Sequence, residues 1–235
     1  MGIVATAETP DVSPSDLRDA AALCRRALEP LAGRDWSAPA GDLAWDVRTT
    51  LAHVPDALGW YAAHLAVRAG HRLRVDFRVH DDATNAEVLD VLDASAAMLA
   101  QVAITAPADA RAYHSAGMAD VTGFLAMGCD EVLIHGWDAC QGLGSDLVVP
   151  PGLADRVLRR LFPWAPTDVA PWPTLRWANG RADLTGRRSR LGPDWLWHCA
   201  PLDEWDGTIP SWDGSSPGRF EWDAAVGRWR AVMVD

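Results

Sequence analysis

Lysine is missing altogether: all 21 basic residues are arginines. Against 32 Asp and Glu they leave a formal net charge of -11, and they gather into no patch that would follow a phosphate backbone. Nucleic acid and anionic membrane surfaces are therefore poor candidate partners, and small molecules better ones. Cys24, Cys129, Cys140 and Cys199 contain no C-x-x-C pair, which argues against a zinc ribbon or a dithiol redox site and makes reduced thiols in a cytoplasmic protein the expectation. The first 16 residues hold two prolines and no basic residue, unlike a secretory signal. No unbroken apolar run approaches 18 residues, so no membrane-spanning helix is expected. Internal repeats and long low-complexity tracts are also lacking.

The 235 residues suffice for one large or two small domains with an ample core. Periodicity predicts a first helix from Ser13 to Leu31, capped by Ser13 or Ser15, with Leu17, Ala20, Cys24 and Leu28 inward. Asp46 caps a second running to about Arg68, and Pro55 within it predicts a kink beside His53. Thr84 and Glu87 have capping-box spacing before a third helix reaching about Val102. Residues 105–118 read as a connector, and a fourth helix spans about Asp120 to Gln141, stopped by Gly142 and Gly144. Beyond Pro151 the texture changes: nine of 13 tryptophans lie after residue 160, among prolines, glycines and short alternating runs. Leu153 to Phe162 and Thr174 to Ala178 read as short helices. Trp195 to Cys199, Arg219 to Trp222 and Arg228 to Val232 read as strands, the last two a hairpin turning through Asp223 to Gly227. The expected class is α+β: a four-helix bundle over residues 13–145, then a small Trp-rich α+β domain over residues 150–235.

The chemistry concentrates in the fourth helix. Glu131 and His135 are four apart and share a face, within reach of one metal ion. A solvated Glu/His pair at that spacing is worth only a few tenths of a kcal/mol. The helix is apolar on nearly every other side, however, which implies burial, and a buried carboxylate requires a partner. His53 on the second helix is the candidate third ligand, with Trp60 flooring the same stripe. Two His and one Glu leave coordination positions open, as a catalytic metal site requires. Asp138, one turn beyond His135, is a candidate acceptor for the imidazole's other nitrogen. His64, His71, His80, His114 and His198 lack such spacing and are expected at the surface, while Tyr113 and His114 either border the pocket or merely cap it.

Trp45-Asp46-Val47-Arg48-Thr49-Thr50-Leu51-Ala52-His53, with the core Asp130-Glu131-Val132-Leu133-Ile134-His135-Gly136-Trp137-Asp138 inside Gly128 to Gly144, resembles the DinB-like superfamily. Within it the chain is most similar to the N-terminal domain of mycothiol-dependent maleylpyruvate isomerases, over roughly residues 13–145. The resemblance implies an up-and-down four-helix bundle whose metal, usually zinc, is held by His53, Glu131 and His135. Trp177-Ala178-Asn179-Gly180-Arg181 resembles a Gly-Arg segment in the C-terminal domain often fused to such bundles, implying that Arg181 could hold an anionic group of a ligand or cosubstrate. The abundance of Ala and Arg agrees with a GC-rich, mycothiol-producing host. The function expected is metal-dependent transfer or isomerisation, in which a low-molecular-weight thiol such as mycothiol attacks a small electrophile. Two alternatives remain open: a metal-dependent hydrolase, and a non-catalytic ligand-binding or stress-response protein.

Overall fold

Four long helices carry the core. The computed structural model describes residues 11–184, 197–210, 219–224 and 228–232. Helix α1 (Pro14–Leu28) starts at a capping box in which the Ser13 side chain accepts from Asp16 N–H while the Asp16 carboxylate accepts from Ser13 N–H. A 3-10 turn, Glu29–Leu31, ends it. Helix α2 (Val47–Val67), capped by Asp46, runs on through Pro55. Helix α3 (Asn85–Thr105) begins at the Thr84/Glu87 capping box, and α4 (Val121–Gly142) is capped by Asp120. The expected stripes are inward: Leu17, Cys24, Leu51, Leu58, Leu92 and Leu99 are fully buried.

The direction of the helices differs from the alternation of an up-and-down bundle. Leu17 and Cys24 of α1 meet Gly128 and Gly136 of α4 in the same order, so α1 and α4 are parallel. Asn85 at the start of α3 donates to carbonyls at the end of the α1 segment, Ala32 and Arg34, so those two helices are antiparallel. Arg48 and Asn85 bring the starts of α2 and α3 together, while Val47 lies against Gly142 at the end of α4. The order is up, down, down, up. Helix α1 packs on α3 and α4, as does α2, which places α1 and α2 diagonally across the bundle. Long connections permit this: residues 32–46 cross the bundle end, and residues 69–84 run back along α2 so that α3 can set off in the same direction.

The second crossing holds an element that the sequence pattern did not reveal. Within the expected connector, β1 (Arg111–His114) and β2 (Gly117–Asp120) pair antiparallel in the register Arg111 with Asp120 and His114 with Gly117. Past the bundle, α5 (Pro151–Leu161) and α6 (Pro171–Ala178) pack on each other, and α5 packs on α4. The hairpin of β3 (Arg219–Asp223) and β4 (Arg228–Val232) forms as expected, its turn residues 225–227 lying outside the described residues. The strand expected from Trp195 to Cys199 is corrected: positions 195 and 196 are outside the described residues, and Trp197, His198 and Cys199 take no strand conformation. Their backbone serves Arg160 instead, whose buried guanidinium donates to the carbonyls of His198 and Cys199, the Thr122 hydroxyl and the Asp120 carboxylate. One continuous apolar core runs from Val12 to Cys199.

Among the described helices, α3 is the one long and apolar enough to cross a membrane by length and composition, although it contains no unbroken apolar run of that length. Its apolar average spans Asp90 and Asp93, both of which bind Arg25 of α1 at 2.8 Å. Its Val88, Leu92 and Leu99 face the bundle core, so the helix is accounted for as a core element.

Candidate metal centre

Glu131 and His135 share a face of α4 as their spacing predicted, and His53, the candidate third donor, meets them from α2. One ligand atom each from His53, Glu131 and His135 lie within 4.8 Å of one another, an arrangement that could hold a metal ion. Glu131 Oε2 is 3.3 Å from His135 Nε2 and 3.7 Å from His53 Nε2. The antiparallel run of α2 against α4 sets His53 opposite His135, their ring centroids 5.5 Å apart. Glu131 and His135 are nearly enclosed, whereas the His53 side chain is 35% exposed. Trp45 packs edge-on against His53 with ring centroids 5.3 Å apart.

Neighbours hold the outward atoms of these groups. Tyr61, two turns along α2 from His53, donates its hydroxyl to Glu131 Oε1 at 3.1 Å and leaves Oε2 to face the two imidazoles. Asp138 Oδ2 lies 3.3 Å from His135 Nδ1, off the line a hydrogen bond prefers, so this buried ring nitrogen has no aligned acceptor. Burial alone would raise the Glu131 pKa and lower that of His135. The pairing of the two outweighs it, with Asp138 adding to the effect on His135, and the carboxyl falls to about 2 while the imidazole rises to about 9. The site balances its own charge with a proton, which is the proton a divalent cation would displace.

Two cavities meet at His53. One, of about 340 Å³, has Glu131 and Tyr61 in its wall with Trp60, Tyr113, His114 and Arg72 around them. The other, of about 470 Å³, runs past Trp45 and Thr49 to Phe77 and His80. Residues 71–81 form the outer wall of both. Apart from an isolated β-bridge between His71 and Arg219, the described holds on this extended segment come from side chains: Leu73 N–H donates to His64 Nε2 at 2.9 Å, Phe77 N–H to Asp56 Oδ1 at 2.9 Å, and Arg48 to the carbonyls of Asp81 and Ala83. The Phe77 ring lies so close to Gly59 that a side chain there would collide with it.

The surface placement expected for the remaining histidines is corrected for two of them. His64 is fully buried, with Nδ1–H donating to Trp60 O at 2.8 Å and Nε2 accepting from Leu73. His114 is buried, borders the first cavity with Tyr113, and accepts from Ala116 N–H at Nδ1, so its proton resides on Nε2. Desolvation pushes its pKa down to about 4, keeping the ring neutral. Tyr61, His64 and His114 had no motif to mark them; the one available signal was aromatic character on the His53 stripe, which Tyr61 shares with Trp60. Behind the centre, buried Asp130 accepts from Asn179 Nδ2 at 2.9 Å and from Trp197 Nε1 at 3.0 Å. Arg181 reaches Asp138 Oδ2 at 3.0 Å. No family model matches the sequence, and neither does any curated protein or solved structure.

Proposed function

We propose that this protein is a metal-dependent transferase or isomerase of the DinB-like type, which brings a low-molecular-weight thiol of the mycothiol class onto a small electrophile. The observation that carries this reading is the convergence of His53, Glu131 and His135 at the side of a cavity. Two imidazoles and one carboxylate suit zinc, and three protein ligands leave room for an exogenous group. A divalent ion held there would lower the pKa of a coordinated thiol and supply a thiolate at neutral pH. The protein's own thiols are unsuited to that role: all four cysteines are buried, and burial pushes Cys140 and Cys199 up to about 12.

The remaining steps fall to residues of the chain. Tyr61 orients Glu131, Trp60 and Tyr113 exclude water from one wall, and neutral His114 offers a hydrogen-bond donor. Arg72, at the cavity edge, makes no ion pair with another described residue and suits an anionic group on the electrophile. In addition, sulfur bonds to the electrophilic carbon as the π bond opens, and the proton lost by the thiol ends on the neighbouring carbon. In isomerisation, rotation about the new single bond precedes the reverse expulsion.

The test combines metal analysis of the gently purified protein with turnover of a cis-enedione acid in the presence and absence of mycothiol. Stoichiometric metal and thiol-dependent consumption are expected. His135→Ala should lose the metal and the activity while its helical circular dichroism persists, because one of three ligands is gone and the core is untouched. Metal content in His135→Ala equal to the parent would refute the ligand assignment. Turnover without thiol would replace the reading with hydrolysis.

A further inference from the structure

We propose that Arg181, from outside the bundle, is a positioning residue that sets the metal affinity of the centre by aiming the Asp138 carboxylate at His135; this rests on the metal-centre reading above. When His135 Nε2 serves as ligand, its proton must sit on Nδ1, and that N–H requires an acceptor on the far side of the ring. Asp138 Oδ2, 3.3 Å from Nδ1 but off the line of a hydrogen bond, is the group placed to become that acceptor. The same oxygen receives Arg181 from Nη2 at 3.0 Å and from Nε at 3.3 Å. The carboxylate is enclosed, and among the described residues the hydrogen bonds it accepts come from this guanidinium.

Local backbone structure directs the arginine there. Helix α6 ends with Gly180 in the left-handed region, φ 70°. Gly180 N–H donates to Trp177 O at 2.9 Å and Arg181 N–H to Arg176 O at 2.8 Å, the hydrogen-bond pair of a Schellman stop. The turn reverses the chain and sends the Arg181 side chain back towards α4, where Nη1 also binds Asn179 O at 2.8 Å. Arg181 and Asp138 border a separate cavity of about 380 Å³ rather than the one beside Glu131, so the guanidinium works on the centre through Asp138 and not by touching a reactant.

The test measures zinc affinity of the full-length protein by competition with a chromophoric chelator, for the parent, Arg181→Met, Arg181→Lys, Asp138→Asn and the Arg181→Met/Asp138→Asn pair. Arg181→Met should bind zinc about 10- to 100-fold more weakly, the range typical when a partner of a ligating histidine is lost. Arg181→Lys should fall between it and the parent. In the Asp138→Asn background, Arg181→Met should cost nothing further, a non-additivity that a general loss of structure would not produce. Parent affinity in Arg181→Met, or losses that add in full in the double variant, would overturn the proposal. Should Arg181→Met not fold, Arg181→Lys with and without Asp138→Asn makes the same comparison. A parent that binds no zinc refutes the metal-centre reading itself, an outcome separate from these.

Discussion

Glu131 and His135 share a proton that a bound cation would replace, and the sign of the pH dependence expected of the proposed metal binding follows. His135 in the metal-free protein is raised to about 9, so below that pH each binding event expels one proton and affinity climbs about tenfold per pH unit. Above pH 9 the climb should stop. Zinc titrations at fixed ionic strength between pH 6 and 10 check this, and a flat profile below pH 9 would contradict it. At this scale the Glu131 and His135 pair was legible because four-residue spacing on an apolar helix brings two donors to one side whatever the fold does, whereas His53 entered as a candidate third donor and through the family resemblance. Tyr61 and His114 were not legible, since their roles depend on how α2 and β1 pack, which local spacing does not encode.

Helix α4 owes its placement in part to groups around its first turn. Its first turn is gripped by Arg160 of α5, which binds the Asp120 cap, Thr122 and two carbonyls of the returning chain. A Cβ on Gly123 would meet the Cys199 carbonyl, so the chain lies directly on that turn. Arg160→Met should destabilise the protein by about 3 kcal/mol, the penalty for stranding the partners of a buried ion; urea unfolding measures it, and a loss under about 1 kcal/mol would contradict the account. The long helices were readable, with caps at Ser13 or Ser15, Asp46 and Thr84 and the fourth starting at about Asp120, whose capping role the structure added. The β1–β2 hairpin was not: four-residue strands containing Ala112 and Ala119 carry too short an alternation to stand out. Helix direction was equally invisible, because a stripe says which face is buried and nothing about whether the neighbour runs up or down.

Across the whole molecule, the segment after the bundle is tied to its beginning. Arg156 of α5 binds Asp16 in the first turn of α1. Burial raises the Asp16 pKa, but hydrogen bonds from Arg156 and Ser13 outweigh it and leave it below the usual value. A depressed carboxyl stabilises the fold above its ordinary pKa near 4 and loses that contribution as pH falls through its lower folded value. Acid unfolding followed by circular dichroism should therefore begin at higher pH, or from lower stability, in Arg156→Met; curves that superimpose would argue against the clasp. The expectation of a mixed α and β molecule was sound because proline, glycine and tryptophan gather after residue 150, while contacts such as Arg156 with Asp16 join positions 140 apart and leave no trace in local pattern.

Among the described residues, the wall formed by residues 71–81 is held by His64, Asp56 and Arg48, by Phe77 packed on Gly59 and by a lone bridge from His71 to Arg219. Most of its amides have no ladder partner, so in deuterated solvent peptides covering 74–80 should label within seconds while those of α4 stay protected far longer. Labelling of both at one rate would show that the wall and the bundle open together. If instead the wall opens alone, a reactant gains passage to His53 at the expense of local attachments, and the helices need never come apart.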